Sequence, residues 1–180
     1  MGQHQIGHGR VDFPFAIDIG ILALARLLAK AAQLAQGIAK VDSPSGMGFS
    51  VRVGAEFDVI VSASGRVLLA FQTDETRQFR IAESVKRRPD HDDPQILPTL
   101  DLIRARGFKS IPSVQIRGLY AVAFPILNTR GVAIAALTVP YAERIDQLHR
   151  KPISAIEGLL EAAAGDLSSR VGGLAHQRTQ

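Results

Sequence analysis

The sequence contains no cysteine and no tryptophan among its 180 residues. Without cysteine there is neither a disulfide framework nor a thiolate metal site, and the chain suits a reducing compartment. The five histidines are scattered and do not show the spacing of metal ligands. From the sequence we therefore expect no metal, no cofactor and a cytoplasmic location.

The sequence also lacks a long uninterrupted hydrophobic run. Its most apolar stretch, residues 17–34, is broken by Asp18, Arg26, Lys30 and Gln33. A membrane-spanning helix needs about 20 consecutive apolar residues, so this stretch is too short to span. The start of the chain does not show the basic, apolar and small-residue order of a signal peptide. We predict no contact with a membrane.

Basic residues form only one run. The formal net charge is +4, but Lys and Arg cluster only at residues 86–88, and aspartates follow at 90, 92 and 93. Nucleic-acid binding favours a larger basic patch, often interleaved with aromatic side chains. The run is therefore predicted to be a solvated helix end, and a phosphate-contacting patch is the less favoured alternative.

The composition predicts one domain, because 46% hydrophobic residues over this length suit a single core. We expect a flexible N-terminal tail over 1–16, one domain over 17–172 and a flexible C-terminal tail over 173–180. The predicted helices are 18–36, 62–72, 74–88, 94–106 and 152–171, with Gly37, Gly107 and Gly172 as stop signals. The predicted strands are 38–41 and 47–53, which form one hairpin, and the two runs around Asn128–Gly131, which form a longer one.

Both faces of the longer hairpin are apolar, which predicts a sheet covered on both sides. Several of its residues are small, namely Ala121 and Ala123 on the first strand and Ala133, Ala135 and Ala136 on the second. Small side chains leave space, so a helix packs closely on them or they form the floor of a ligand cavity. The sequence pattern leaves both interpretations open.

Five segments carry a resemblance to a known family: "VDSPSG", "SVRVG", "SASGRVLLAF", "IRARGF" and "RGLYAVAFPILNTRGVAIAALTVP". In this order and spacing they resemble the C-terminal effector-binding domain of the isocitrate lyase regulator (IclR) family of bacterial transcription factors, over residues 38–171. The resemblance implies an α+β fold, an α/β sandwich that is GAF-like, with a twisted, mainly antiparallel sheet and helices on both faces. It also implies a sensor of a small organic acid that forms a homodimer or homotetramer and is not an enzyme.

Two departures from the family qualify this expectation. Family members carry a winged helix-turn-helix ahead of the sensing domain, and only 16 residues precede the predicted domain here, so DNA contact is expected only through a module that this chain lacks. The family also commonly has a further strand pair before the "VDSP" region. Either the edge of the sheet is shorter in this chain, or residues 13–23 supply a strand where we predict the start of a helix.

The segment Ser62-Ala63-Ser64-Gly65 is the first candidate site. A nucleophile elbow requires G-x-S-x-G, and Ser62 replaces the first glycine, so hydrolase chemistry is disfavoured. A helix that begins here exposes N–H groups that suit an anion, unless Ser62 only caps its own helix. The resemblance favours the anion site, because the family's effector carboxylates are held by backbone amides at the positions of Ala63 and Ser64. We include the amide of Gly65.

The remaining candidates are carried over from the family by position. Leu119 and Ala121 match pocket walls and Thr138 matches a hydroxyl residue, whereas Pro140 stands where many members have a serine. The acidic residue that the family often places near 110–113 is not present in this chain. Tyr120 and Arg117 are additional candidates of lower rank, and we expect no catalytic residue.

The sequence therefore predicts a ligand-sensing domain that binds a small carboxylate metabolite without transforming it. One alternative is a pure oligomerisation module whose pocket is closed by side chains. Another is a serine hydrolase that uses Ser64 or Ser62 with His91 or His149. This second alternative requires one of those histidines to lie beside the serine.

Overall fold

A computed structural model of the chain describes residues 21–27, 34–42, 54, 56–112, 119–142 and 152–173, with the backbone alone for the first two of these ranges and for residues 141 and 142. Six strands are described: β1 Ile21–Leu27, β2 Leu34–Asp42, β3 Glu56–Asp58, β4 Lys109–Pro112, β5 Leu119–Leu127 and β6 Ala133–Ala142. The helices are α1 Ala63–Ala70, α2 Asp74–Arg87, α3 Ile96–Arg106 and α4 Ile153–Arg170, with a short 3₁₀ turn at Pro89–His91.

The six strands form one sheet in the order β3-β2-β1-β6-β5-β4, and every described pair is antiparallel. One hydrophobic cluster joins the sheet to α1 and α3, and a second cluster joins it to α4. Because the two clusters use alternate residues of β5, the helices cover opposite faces of the sheet. The α+β fold with a mainly antiparallel, doubly covered sheet is confirmed.

The predicted helix over 18–36 is wrong, because β1 and β2 occupy much of that range and pair with each other. A run rich in Leu and Ala fits either periodicity, and pairing with β6 within the sheet decides between them. Gly37 does not end a helix. It pairs with Ala25 where the register shifts, as glycine often does at a bulge. The alternative that residues 13–23 supply a strand is correct at Ile21 to Ala23, whereas 13–20 lie outside the described residues.

The other predicted elements agree with the structure where it describes them. The helices predicted at 62–72, 74–88, 94–106 and 152–171 correspond to α1, α2, α3 and α4, and the long hairpin corresponds to β5 and β6. Gly107 ends α3 with φ of 89°, a conformation that suits glycine. The predicted strand 38–41 lies within β2, whereas its partner 47–53 lies outside the described residues.

The small residues of the hairpin divide between the two faces. Ala123, Ala133 and Ala136 pack in the cluster with α1, whereas Ala135 packs in the cluster with α4. The register of the β5–β6 pair shifts between Ile126 and Leu127. Ala133 therefore does not follow the alternation between the two faces that the later residues of β6 show. Of the two interpretations left open by the sequence, a cavity floor cannot include all five alanines, because Ala135 lies on the opposite face of the sheet.

The end of α4 is fixed to the end of β5. Ser168 is buried, and its Oγ accepts the N–H of Leu127 at 3.0 Å and donates to the carbonyl of Ala164 at 2.7 Å. A Cβ atom at Gly173 would overlap the carbonyl oxygen of Leu127, so only glycine allows the backbones to approach this closely. These contacts hold one helical layer on the hairpin that carries the candidate site on its other face.

Candidate functional site

Close packing of the turn before α1 explains why one of the four small residues at 62–65 is glycine. A Cβ atom built on Gly65 would lie 2.5 Å from Cα of Val59 and 2.7 Å from the carbonyl oxygen of Asp58. Real side chains do not approach backbone atoms this closely, so the turn can pack on α1 only because residue 65 is glycine. Gly65 therefore has a packing role.

Ser62 is the N-cap of α1. Its Oγ accepts the N–H of Gly65 at 3.0 Å and donates to the carbonyl of Asp58 at 2.6 Å. Both contacts lie within the turn and the helix, as in an ordinary N-cap. The sequence prediction included Ser62 and Gly65 as ligand donors, but the hydroxyl and the amide already have intramolecular partners. The N-cap interpretation is correct for these two residues.

Ala63 and Ser64 differ from Gly65 in this respect. Their N–H groups make no hydrogen bond to any residue that the structure describes, because they belong to the first helical turn and Ser62 caps only Gly65. Both residues are buried, at 3% and 6% exposure. Two N–H groups and the positive end of a helix dipole thus lie together in a shielded position, which favours a small anion.

Contacts at the other end of α1 fix its position on the sheet. The carbonyl of Phe71 accepts the N–H of Ala133 at 3.1 Å, and Gln72 donates to the carbonyl of Ala133 at 2.8 Å. Ala123 of β5 and Ala136 of β6 pack in the same cluster as α1. These contacts place α1 on the face of the sheet that carries Ala123 and Ala136.

Thr138 faces the same side of the sheet as α1. It pairs with Ala123, which packs in the cluster with α1, and directly paired residues share a face. Its Oγ1 is buried and has no hydrogen-bond partner among the described residues. A buried hydroxyl without a partner is destabilising unless a ligand or water satisfies it. Thr138 Oγ1 is thus a third polar group without a described partner, after the N–H groups of Ala63 and Ser64.

The other predicted pocket residues divide between the two faces. Leu119, Ala121 and Ala123 alternate along β5, so Leu119 and Ala121 lie on the face of α1 and Thr138. Tyr120 lies on the opposite face, with Val122 of the cluster beneath α4. The sequence therefore places Tyr120 wrongly beside the other candidates. Arg117 lies outside the described residues.

Sequence reasoning missed Asp58, which organises the turn before α1. Its carboxylate accepts the N–H groups of Ile60 and Val61 at 2.8 and 3.1 Å and the Ser84 hydroxyl at 2.9 Å. Its other carboxylate contact is Nδ1 of His91, at 3.1 Å from Oδ2. The spacing Asp58-x-x-x-Ser62 before a helix, typical of a side-chain-stabilised turn, was the available signal.

The pKa of Asp58 lies below its usual 3.8. Burial alone raises the pKa of this carboxyl, but the close contact with His91 and the hydrogen bonds from Ile60, Ser84 and Val61 together lower it further than burial raises it. Asp58 is therefore a charged carboxylate at neutral pH that fixes the turn.

The geometry does not form a serine hydrolase triad within the described residues. His91 contacts Asp58, Asp90 and Arg88, and it makes no hydrogen bond to Ser62 or Ser64. His149, the other candidate base, lies outside the described residues. No group of three or more potential metal ligands occurs in the part of the chain that the structure describes. None of the described helices combines the length and the apolar character that a membrane span needs.

A mainly antiparallel sheet with helices packed on both faces defines the class of protein, an α+β domain of the α/β sandwich type. The chain belongs to the family described as bacterial transcriptional regulator IclR, C-terminal, whose model matches residues 25–169. Domains of this family bind effectors in general. The match of the family model confirms the resemblance seen in the sequence segments.

Individual proteins agree with this assignment. The chain is 27% identical, over 90% of its length, to the HTH-type transcriptional regulator KdgR of Escherichia coli K12 and spans 65% of that relative. The crystal structure of the C-terminal domain of E. coli KdgR superposes with a TM-score of 0.63 at 22% identity, covering 84% of this chain and 87% of that one. An IclR regulator from Alicyclobacillus acidocaldarius superposes with a TM-score of 0.67 at 21% identity, covering 84% and 61%.

Two conclusions follow from these comparisons. The structural matches, which are below 25% identity, show that the fold is shared. The sequence relatives are transcriptional regulators and not enzymes.

Proposed function

We propose that this domain senses a small organic acid for an IclR-type transcriptional regulator and binds the acid without transforming it. The N–H groups of Ala63 and Ser64 receive the carboxylate, the hydroxyl of Thr138 donates to or accepts from the ligand, and Leu119 and Ala121 form apolar walls. The observation that carries the proposal is the pair of buried amides without a described partner at the start of α1.

Energetics support an anion at this position. A buried donor left without a partner costs about 1–3 kcal/mol, and the two amides and Thr138 Oγ1 each lack a described partner. A carboxylate accepts two N–H bonds at once, and bonds to a charged acceptor are stronger than neutral ones. The helix dipole adds a favourable contribution of the same sign. One small ligand therefore satisfies all three groups.

The biological role follows from the family. In a regulator of this kind, the effector changes the affinity of a winged helix-turn-helix for DNA, and the present domain contributes the sensing step. That mechanism requires two conformations of the regulator, one with higher and one with lower affinity for DNA. The effector must bind these two conformations with different affinity. We place the domain in the cytoplasm, where metabolites and DNA are both accessible.

We also propose that the domain forms a homodimer or homotetramer. Exposed apolar side chains on the helical layer support this proposal, since Leu102 is 71% and Phe79 is 53% exposed. Light scattering distinguishes an oligomer from a monomer of 19.4 kDa, and a monomeric mass at micromolar concentration contradicts the proposal.

A thermal-shift screen of small aliphatic and aromatic carboxylates tests the sensing function. A ligand at about 100 times its Kd stabilises the fold by about 2.7 kcal/mol, which raises the Tm of a domain this size by roughly 5–10 °C. The ionic strength is kept constant, so that general anion effects on a basic protein are not counted as binding. Each hit is repeated as its neutral amide, which keeps the shape and removes the charge.

The outcomes separate the proposed function from its alternative. A carboxylate that raises Tm while its amide does not supports the sensing role. If no carboxylate in the screen raises Tm, the domain is better described as an oligomerisation module with a closed pocket. In that case a crystal structure must show the space above Ala63 and Ser64 filled by side chains.

A further inference from the structure

Lys109 lies in the same cross-strand row as Thr138. It is the first residue of β4 and pairs with Ala123 of β5, which in turn pairs with Thr138 of β6. Residues paired directly across an antiparallel sheet share a face, and two strand spacings separate Lys109 from Thr138 by about 10 Å. Ile111, the next residue of β4 on this face, packs against the cluster beneath α1. Lys109 therefore lies on the face of the candidate site.

Two other cations near Lys109 are already engaged. Arg66, in the first turn of α1, donates to the carbonyl of Ile60 and forms an ion pair of 3.0 Å with Asp93. These contacts hold the arginine against the turn and against the segment before α3. Its charge is therefore balanced within the domain.

Arg106, the last residue of α3, is engaged in a different way. Its guanidinium lies 4.2 Å from the centre of the Phe108 ring and 3.9 Å from Glu157 of α4. Stacking on an aromatic face and a nearby carboxylate are both favourable for a guanidinium. Arg106 thus has partners toward the opposite face of the sheet.

Lys109 has no such partner among the described residues. It forms neither an ion pair nor a hydrogen bond through its side chain there, although it is only partly exposed. Burial, followed by the charges of Arg66 and Arg106, lowers the pKa of Lys109, and Asp93 opposes this effect. Burial and two nearby guanidinium groups disfavour the charged form of Lys109. An anion bound beside the ammonium group would stabilise this charged form.

We propose that Lys109 binds a second anionic group of the effector, so that the site selects dianionic small acids over monoanionic ones. The first carboxylate lies on the amides of Ala63 and Ser64, and the second extends along the row from Thr138 toward Lys109. This inference rests on the proposed carboxylate site at α1 and adds the chemical class of the ligand. A monoacid fills only the first position and leaves the ammonium group of Lys109 without a counterion.

Calorimetric titration with succinate, glutarate and adipate, each compared with its monomethyl ester at constant ionic strength, tests the inference. The ester keeps the length and one charge but loses the other. In the wild-type protein we expect at least one diacid to bind about tenfold more tightly than its ester, the effect of one charge-assisted bond. Lys109→Met should reduce this ratio to below about twofold, and Lys109→Arg should preserve most of it.

Two further variants distinguish the inference from the proposed function. Arg104→Met removes an exposed positive charge from α3 and should leave the ratio unchanged, which controls for net charge. Thr138→Val should weaken a diacid and its ester by the same factor. A diacid preference that survives in Lys109→Met, or is not present in the wild type, overturns the inference and leaves the carboxylate site intact. If no diacid or ester binds while another carboxylate of the thermal-shift screen raises Tm, the inference alone is overturned. If no carboxylate of either kind binds, the proposed function itself is contradicted.

Discussion

Nδ1 of His91 lies 3.1 Å from Oδ2 of Asp58, and this contact joins the 3₁₀ turn after α2 to the turn that begins α1. The carboxyl and carbonyl oxygens of Asp58 also accept five hydrogen bonds from Ile60, Val61, Ser62 and Ser84. The segment that presents the amides of Ala63 and Ser64 is therefore held by one residue, Asp58. Because its carboxylate accepts three of the five hydrogen bonds, we expect its charge state to affect the stability of the turn.

Asp58 should give the fold an acid-sensitive component. Its pKa in the folded protein lies below 3.8, so its stabilising contribution is complete above that value and is lost as pH falls through the folded pKa. We expect Asp58→Asn to lower Tm at pH 7 and to flatten the decrease of Tm between about pH 4 and pH 2. Thermal melts at a series of pH values measure both effects.

A matched control for this experiment is Asp92→Asn. Asp92 is exposed, close in sequence to His91 and without a described side-chain partner. It should change neither the Tm at pH 7 nor the slope in acid by a measurable amount. If Asp58→Asn behaves like Asp92→Asn, the carboxylate does not hold the turn.

Gly65→Ala should be strongly destabilising, because the added Cβ atom meets backbone atoms of Val59 and Asp58 that cannot move independently. We expect a loss of roughly 3 kcal/mol in the free energy of unfolding, at the upper end of overpacking effects. Gly158→Ala is the control, since α4 has open space at Gly158 and alanine favours a helix by up to about 1 kcal/mol. Denaturant unfolding should show a lower free energy of unfolding for Gly65→Ala and an equal or higher one for Gly158→Ala. Equal effects in the two variants would contradict the close approach at Gly65.

The neighbouring serines of α4 offer a second matched pair. Ser168 is buried and its Oγ accepts the N–H of Leu127, whereas Ser169 is exposed and donates only to the carbonyl of Gly165. Ser168→Ala should therefore reduce the free energy of unfolding by about 1–3 kcal/mol, because it leaves a buried N–H without a partner. Ser169→Ala should change it by less than about 0.5 kcal/mol. A Ser168→Ala variant as stable as Ser169→Ala would show that the N–H of Leu127 finds another acceptor.

Sequence reasoning predicts the elements with strong local signals. The β5–β6 hairpin has alternating apolar residues around Asn128–Gly131, and α3 has a glycine at its end with φ of 89°. β1 and the first residues of β2 were missed because the run from Ile21 to Gln36 consists mainly of Leu and Ala, which favour a helix locally. Pairing with β6, a contact distant in sequence, determines the strand.

Parts of the site were predictable and parts were not. Counting alternate residues along β5 would have placed Tyr120 on the face opposite Ala121. The role of Gly65 could not be derived, since it depends on the distance to Val59 across a turn. The face of Ala135 and the presence of Lys109 in the row of Thr138 depend on strand register, which no local sequence signal specifies here.

The central claim, that a carboxylate ligand lies between the first turn of α1 and Thr138, is tested most directly by Thr138→Val. Valine keeps the shape and removes the hydroxyl, whose Oγ1 is buried without a described partner. Without ligand, Tm should stay the same or rise, because an unsatisfied buried polar atom is removed. For a carboxylate found in the screen, calorimetry should show binding weakened by about 1 kcal/mol, or roughly fivefold.

Thr129→Val, in the exposed turn of the hairpin, should change neither quantity and serves as the control. The two effects of Thr138→Val have opposite signs, so general damage to the fold cannot produce both. The account predicts a Thr138→Val protein that is at least as stable as the wild type and binds the carboxylate several-fold more weakly. An unchanged Kd for the carboxylate in this variant would contradict the account.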